Sequence, residues 1–141
     1  MSSNATGFLL VRAGKRRVGL PLAQVLEVTS LGEVHPVPAI ERAMRGLVTI
    51  HGRAMPLVHL ESLLDGSSCP PSFGSLGVVI TVDGRRVCLE IEEAEILVRE
   101  PALPVPPGET LPWAIGVARH GENLVPLLDL QALSSRLMEA A

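Results

Sequence analysis

The residues of this chain that could do chemistry are four histidines, two cysteines and a run of carboxylates. The histidines are His35, His51, His59 and His120, and the cysteines are Cys69 and Cys88. A metal site needs such donors at close, defined spacings, and none of these forms one with a cysteine or carboxylate. His51 and His59 flank a turn and could approach each other, but they read as a turn histidine and a strand histidine. Glu90, Glu92, Glu93 and Glu95 form an acidic cluster. Glu92 and Glu93 could serve as an acid–base pair only inside a cleft that tunes them, so the cluster reads as a solvated strand end. Gly74-Ser75-Leu76-Gly77 lacks the spacing of a nucleophile elbow, and no phosphate-binding glycine loop is present. Arg16-Arg17 and Arg85-Arg86 could meet phosphates, yet no aromatic lies near them in sequence to stack a base, so they read as solubilising turn charges. These residues predict no catalytic group, no metal and no cofactor.

Bulk composition narrows the class further. A hydrophobic fraction of 47% against 19% charged residues excludes a disordered chain. A formal net charge of -3 gives no electrostatic reason to expect nucleic acid as a partner. No run approaches the ~20 apolar residues that cross a bilayer, so direct membrane insertion is not expected. Two unpaired cysteines do not suit a small secreted domain. The chain is therefore expected to be cytoplasmic.

Any functional residue must be positioned by strands. The apolar residues are mainly Val, Leu and Ile, and 12 prolines and 13 glycines interrupt them at short intervals. Phe8 to Val11 and Arg17 to Leu22 predict a first hairpin. Leu22 to Leu31 predicts a turn and a strand. His35 to Pro38 predicts a loop, because proline lacks the N–H of a ladder. Ala39 to Arg45 predicts one helical turn. Gly46 to Ile50 and Ala54 to Leu60 predict a hairpin around His51-Gly52-Arg53, followed by a short helix at Leu60 to Leu64. Residues 67–75 read as a linker. Beyond it, Asp83-Gly84 joins Leu76–Val82 to Arg86–Ile91, and Ala94 to Val98 extends that pair. Pro101 to Pro107 is a second proline loop. A last hairpin turns at His120 to Asn123, and a short helix over 130–139 starts from Asp129.

Two segments of the chain look alike. Arg17-Val18-Gly19-Leu20-Pro21-Leu22 matches Arg86-Val87-Cys88-Leu89-Glu90-Ile91 at an offset of 86 − 17 = 69. Pro56-Leu57-Val58-His59-Leu60 matches Pro126-Leu127-Leu128-Asp129-Leu130 at 126 − 56 = 70, and Gly46 pairs with Gly116. His51-Gly52 matches His120-Gly121 at 69, which places one extra residue in the last hairpin. Ordered matches at nearly one spacing imply two copies of one supersecondary unit. The expected fold class is all-β: two pseudo-repeated, five-stranded, barrel-like subdomains with a short C-terminal helix. The halves cover roughly 7–66 and 76–130 of a single domain spanning 7–141. Closing each sheet would remove exposed edges.

These segments, in this order, resemble the CheW-like domain from about Phe8 to Leu133. The resemblance rests on Arg17 to Leu22, Val25-Leu26-Glu27-Val28, the proline loop and Gly46 to Gly52. It continues with Pro56 to Leu60, Val78 to Ile91, Gly116-Val117-Ala118 and Leu124 to Leu130. It implies two packed barrels and a non-catalytic adaptor binding a chemoreceptor cytoplasmic tip and the regulatory domain of a CheA-type histidine kinase. It also implies that Val25, Glu27, Gly46, Thr49, His51 and Gly52 lie at partner-binding positions. Thr49 and His51 stand where the family commonly has Asn and Arg, and His59-Leu60-Glu61 stands where it commonly has Asp-Leu-Arg. Neither His nor Glu offers the permanently charged donor fork of Arg. Two alternatives follow: a tuning variant that binds only one partner, and a double barrel that binds a small ligand.

Overall fold

A computed structural model describes residues 7–38, 42–99, 102–108 and 112–134. The strands are β1 (Phe8–Ala13), β2 (Arg16–Pro21), β3 (Val25–Ser30), β4 (Val34–His35), β5 (Met44–Ile50), β6 (Arg53–His59), β7 (Leu76–Val82), β8 (Arg85–Ile91), β9 (Glu93–Val98), β10 (Ala114–His120) and β11 (Asn123–Leu128). A 3-10 turn at Leu22–Gln24 precedes β3, and one helix, α1 (Leu60–Asp65), follows β6. The fold is thus all-β, as expected, with two sheets.

One sheet has five strands in the order β10-β11-β2-β1-β9, and the other has six in the order β3-β7-β8-β6-β5-β4. The sixth strand is β4: His35, expected in a loop, pairs with Leu47. Each sheet draws on both halves of the sequence. The β1–β2 hairpin joins the late strands, and the β7–β8 hairpin joins the early ones. β9, expected to extend the second hairpin, pairs with β1 instead. The exchange is symmetric to the residue: Leu57 faces Cys88 in one parallel junction, and Leu127 faces Gly19 in the other.

That symmetry corrects the expected register of the repeat. Ile50 pairs with Arg53 and His120 with Asn123, so both hairpins have two-residue turns and neither holds an extra residue. The offset of 70 already holds from Met44 and Ala114 onward, and His51 corresponds to Gly121. The added residue therefore lies in the connection upstream of β10.

Alternation sorts the side chains into four buried clusters. Leu9, Val11 and Ala13 of β1 and Val87, Leu89 and Ile91 of β8 enter one large cluster shared by the two sheets. The opposite faces of the same strands turn inward. Cys88 joins Val48, Ile50, Met55, Leu57 and Val79 inside the six-stranded sheet. In the other, Phe8 joins Ala118 and Leu127, and Leu10 separately joins Val98 and Val125. Strands buried on both faces read as continuous apolar runs, which is why no clean alternation marks β7 or β8. Each sheet is curled. Val98 on edge strand β9 packs with Val125 on β11, three places away in the strand order.

Two expected helical segments differ. Met44 and Arg45 are strand residues rather than part of a turn of helix, and Ala39 to Glu41 lie outside the described residues. At the other end, the Asp129 carboxylate accepts from the Ala132 N–H at 3.1 Å, as an N-cap does. Residues 130–133 form a turn, and the remainder of the expected helix, from 135 on, lies outside the described residues.

Candidate functional site

The six-stranded barrel has two polar ends. At the first, the β5–β6 turn is built from His51 (φ 51°) and Gly52 (φ 77°). Two successive positive φ values are the signature of the hairpin turn whose twist matches its strands. This turn projects His51 toward edge strand β3, where Glu27 waits. His51 Nε2 lies 2.8 and 3.0 Å from the two Glu27 oxygens. β3 and β5 are four places apart in the sheet, so the pair can form only because the sheet curls. A β-bulge between Val25 and Glu27 sets the register of β3 and leaves Leu26 exposed. Leu26, Glu27, Ile50, His51, Met55, Val79 and Arg86 line a cavity of about 170 Å³ at this mouth.

The expected site residues separate here. Glu27 and His51 are brought together, Gly52 completes their turn, and Thr49 is exposed one residue pair along β5. Val25 is half-buried against the shared core. Gly46 is buried: a Cβ there would strike the carbonyl oxygen of His35 and the Cα of Pro36, and its φ is 147°. Gly116 does the same against the carbonyl of Leu103 in the other barrel. Gly46 thus seats the proline loop on β5, and its contact with a partner would have to come through that loop.

His59 has a structural post. Its Nδ1 accepts the Ser62 N–H at 3.3 Å and lies 2.6 Å from Ser62 Oγ, capping α1. Burial pushes its pKa below the ordinary imidazole value, against the raising pull of Glu90. The ring is therefore neutral with its proton on Nε2. His51 and His59 stand at opposite ends of β6, roughly 20 Å apart at the rise of a strand, so they form no pair. Glu61 is half-buried beside Gly14, at the tip of the β1–β2 hairpin.

At the second end of the barrel, Glu90 is buried and paired, contrary to the expected solvated strand end. Arg45 Nε donates to its Oε1 at 2.7 Å and Arg45 Nη2 to its Oε2 at 3.2 Å. Both side chains are at most 5% exposed. Glu92 and Glu93 are exposed, and Glu93 and Glu95 pair with Arg12 and Arg17. Arg16 rests over the Trp113 ring at 5.5 Å. Sequence reasoning assigned Arg45 no functional role, placed Arg86 among solubilising turn charges and placed Glu90 at a solvated strand end. One signal was available for Glu90, because it lies within the run Val87-Cys88-Leu89-Glu90-Ile91 and shares the inward parity of Cys88. The Cys88 thiol is buried, and burial pushes its pKa up to about 12.

Among the described residues no group of three or more His, Cys, Asp or Glu could hold a metal, and no helix is long and apolar enough to cross a membrane. The arrangement offers a partner a strand edge with exposed Leu26 and Val28, beside a charged hydrogen-bonding turn.

Comparison with known proteins agrees with this architecture. The family model described as the CheW-like domain matches residues 7–138. A solved structure described as the scaffolding protein TtCheW from Thermoanaerobacter tengcongensis superposes with a TM-score of 0.78 over 92% of each chain, at 16% sequence identity. No curated protein sequence matches the chain.

Proposed function

We propose, from the premise that this chain belongs to the CheW-like domain family, that it couples chemoreceptors of the methyl-accepting type to a CheA-type histidine kinase. Its family is one of non-catalytic scaffolds, so the chain is an adaptor domain rather than an enzyme. The observation that carries the proposal is the Glu27–His51 pair. Two positions that match partner-binding positions of the family meet across a curled sheet, on an accessible mouth. Leu26 and Val28 supply apolar anchors, and Glu27, His51, Thr49 and Arg86 supply a polar surround. Such a scaffold works in the cytoplasm, at receptor arrays.

The substitution of His for the family Arg gives a second reading its specific support. A His–Glu contact is an ion pair only while the imidazole is protonated, whereas Arg would be charged throughout. A tuning protein that engages the receptor without recruiting kinase follows if the kinase contact needs that permanent charge. Titrating the receptor tip and the kinase regulatory domain separately against wild type and His51→Arg distinguishes the readings. Coupling predicts that wild type binds both. The tuning reading predicts that only His51→Arg gains the kinase domain.

A further inference from the structure

Residues 67–75 cross the second end of the six-stranded barrel as an uncharged strap, and the hold on its middle, Pro70 to Gly74, runs through one ion pair. Arg45 donates to the carbonyl oxygens of Pro70 and Ser72, the latter at 2.9 Å. The Phe73 ring lies 4.7 Å from its guanidinium carbon. Glu90 accepts the Gly74 N–H at 2.6 Å. Other ties flank this stretch: Ser67 to Asp65, the Cys69 thiol to the Arg42 carbonyl and to Ser62, and Ser75 to Leu31 where the strap enters β7. Phe73 itself remains 49% exposed and adds little burial.

A buried ion pair is a poor source of stability, because desolvating both charges offsets most of their attraction. The molecule contains its own comparison. Arg45 is the bulged residue of β5, at the register shift between Met44 and Gly46. At the matching shift of β10 stands Ile115, and Pro21 stands at the position matching Glu90. The second barrel folds with an aliphatic residue and a proline at these two places. The bulge re-aims Arg45 across β6 to reach Glu90 on β8.

We infer that Arg45 and Glu90 are a clasp: positioning residues that hold the 67–75 strap closed over the barrel end, so that the strap opens as a unit separate from the global fold. An opening of this kind exposes the pair to water, where both charges regain hydration, and frees Phe73 from its cation. The twin prolines, Pro70 and Pro71, limit the entropy the strap gains on release and keep it able to reclose.

Native-state hydrogen exchange on the wild-type protein tests this directly. The Gly74 amide is expected to exchange through a local opening that low denaturant does not accelerate, while the His59 amide, bonded to the Ala43 carbonyl, exchanges by global unfolding. Exchange of Gly74 at the global rate overturns the inference. A second arm uses chymotrypsin, which cuts after Phe73, on the paired substitution Arg45→Ile with Glu90→Leu. Cleavage at Phe73 at least about tenfold faster than in wild type, with the unfolding midpoint read by Trp113 fluorescence unchanged, is the expected result. Unchanged cleavage, or a midpoint that falls in step with it, contradicts the clasp. If the paired variant fails to fold, the Gly74 exchange of the wild-type protein decides alone, with the same expected and overturning results.

Discussion

At the bulge of β5 stands Arg45, and at the matching bulge of β10 stands Ile115. The two barrels share their glycine seat, their two-residue turns and their parallel junction, yet they are finished with different chemistry. The six-stranded barrel carries a polar pair at each end, the Glu27–His51 hydrogen bond and the Arg45–Glu90 ion pair. The five-stranded barrel has Arg12–Glu93 and Arg17–Glu95 at one mouth and leaves Ile115 half-exposed. A duplicated frame constrains backbone and packing. Side chains at equivalent places were free to diverge wherever they face a strap or a partner rather than the shared core.

The largest expected effect breaks this comparison at the bulges. Arg45→Met alone leaves Glu90 buried without a counter-charge and should cost about 3–5 kcal/mol. Ile115→Ala, at the equivalent exposed place, should stay within about 0.5 kcal/mol. Urea unfolding followed by Trp113 fluorescence measures both, and equal losses would mean that the barrels are not finished differently.

The glycine seats should instead behave alike. Gly46→Ala drives a Cβ into the His35 carbonyl at a φ of 147°, and Gly116→Ala drives one to 2.5 Å from the Leu103 carbonyl. Each should destabilise by roughly 1–3 kcal/mol, Gly46→Ala by more because its backbone also resists a side chain. A neutral result at either position would show that its proline loop shifts freely.

A smaller effect concerns the His59 cap. Its folded-state pKa lies below the unfolded value near 6.5, so the unfolded chain binds the extra proton. The cap's stability is complete above about pH 6.5 and is lost as pH falls through the depressed folded value. His59→Asn keeps a cap and should flatten this slope, while His59→Ala should cost about 1 kcal/mol at neutral pH. A wild-type profile that does not fall on acidification across that window would contradict the neutral-ring assignment.

The smallest stability effect falls on the proposed binding mouth. Glu27→Ala and His51→Ala remove an exposed pair and should change stability by less than about 1 kcal/mol. Binding, not stability, is the property they should move.

Local elements were readable from the sequence because their causes are local. Asp83-Gly84 and His51-Gly52 are turn dipeptides, Gly66 at φ 78° ends α1, and Asp129 caps the last turn. Which sheet each hairpin joins was not readable. Strand patterns state that a hairpin exists and which face is apolar, but β1 and β7 are apolar on both faces and so carry no mark of their neighbour. The exchange of hairpins between halves therefore emerged only in three dimensions. The same holds for Arg45 and Glu90, 45 positions apart, whose meeting depends on a bulge that no local pattern signals. Glu27 and His51 were both expected at a partner surface through the family resemblance, while their contact with each other needed the curl of the sheet.

The adaptor reading is tested most directly by mixing the chain with a chemoreceptor cytoplasmic tip and a CheA-type kinase regulatory domain, and following all three by sedimentation. The account predicts a ternary species in which this chain bridges the other two, weakened when Glu27→Arg places a positive charge against His51 and Arg86. Failure of either partner to sediment with the chain at high protein concentration, or a ternary species indifferent to Glu27→Arg, would contradict it.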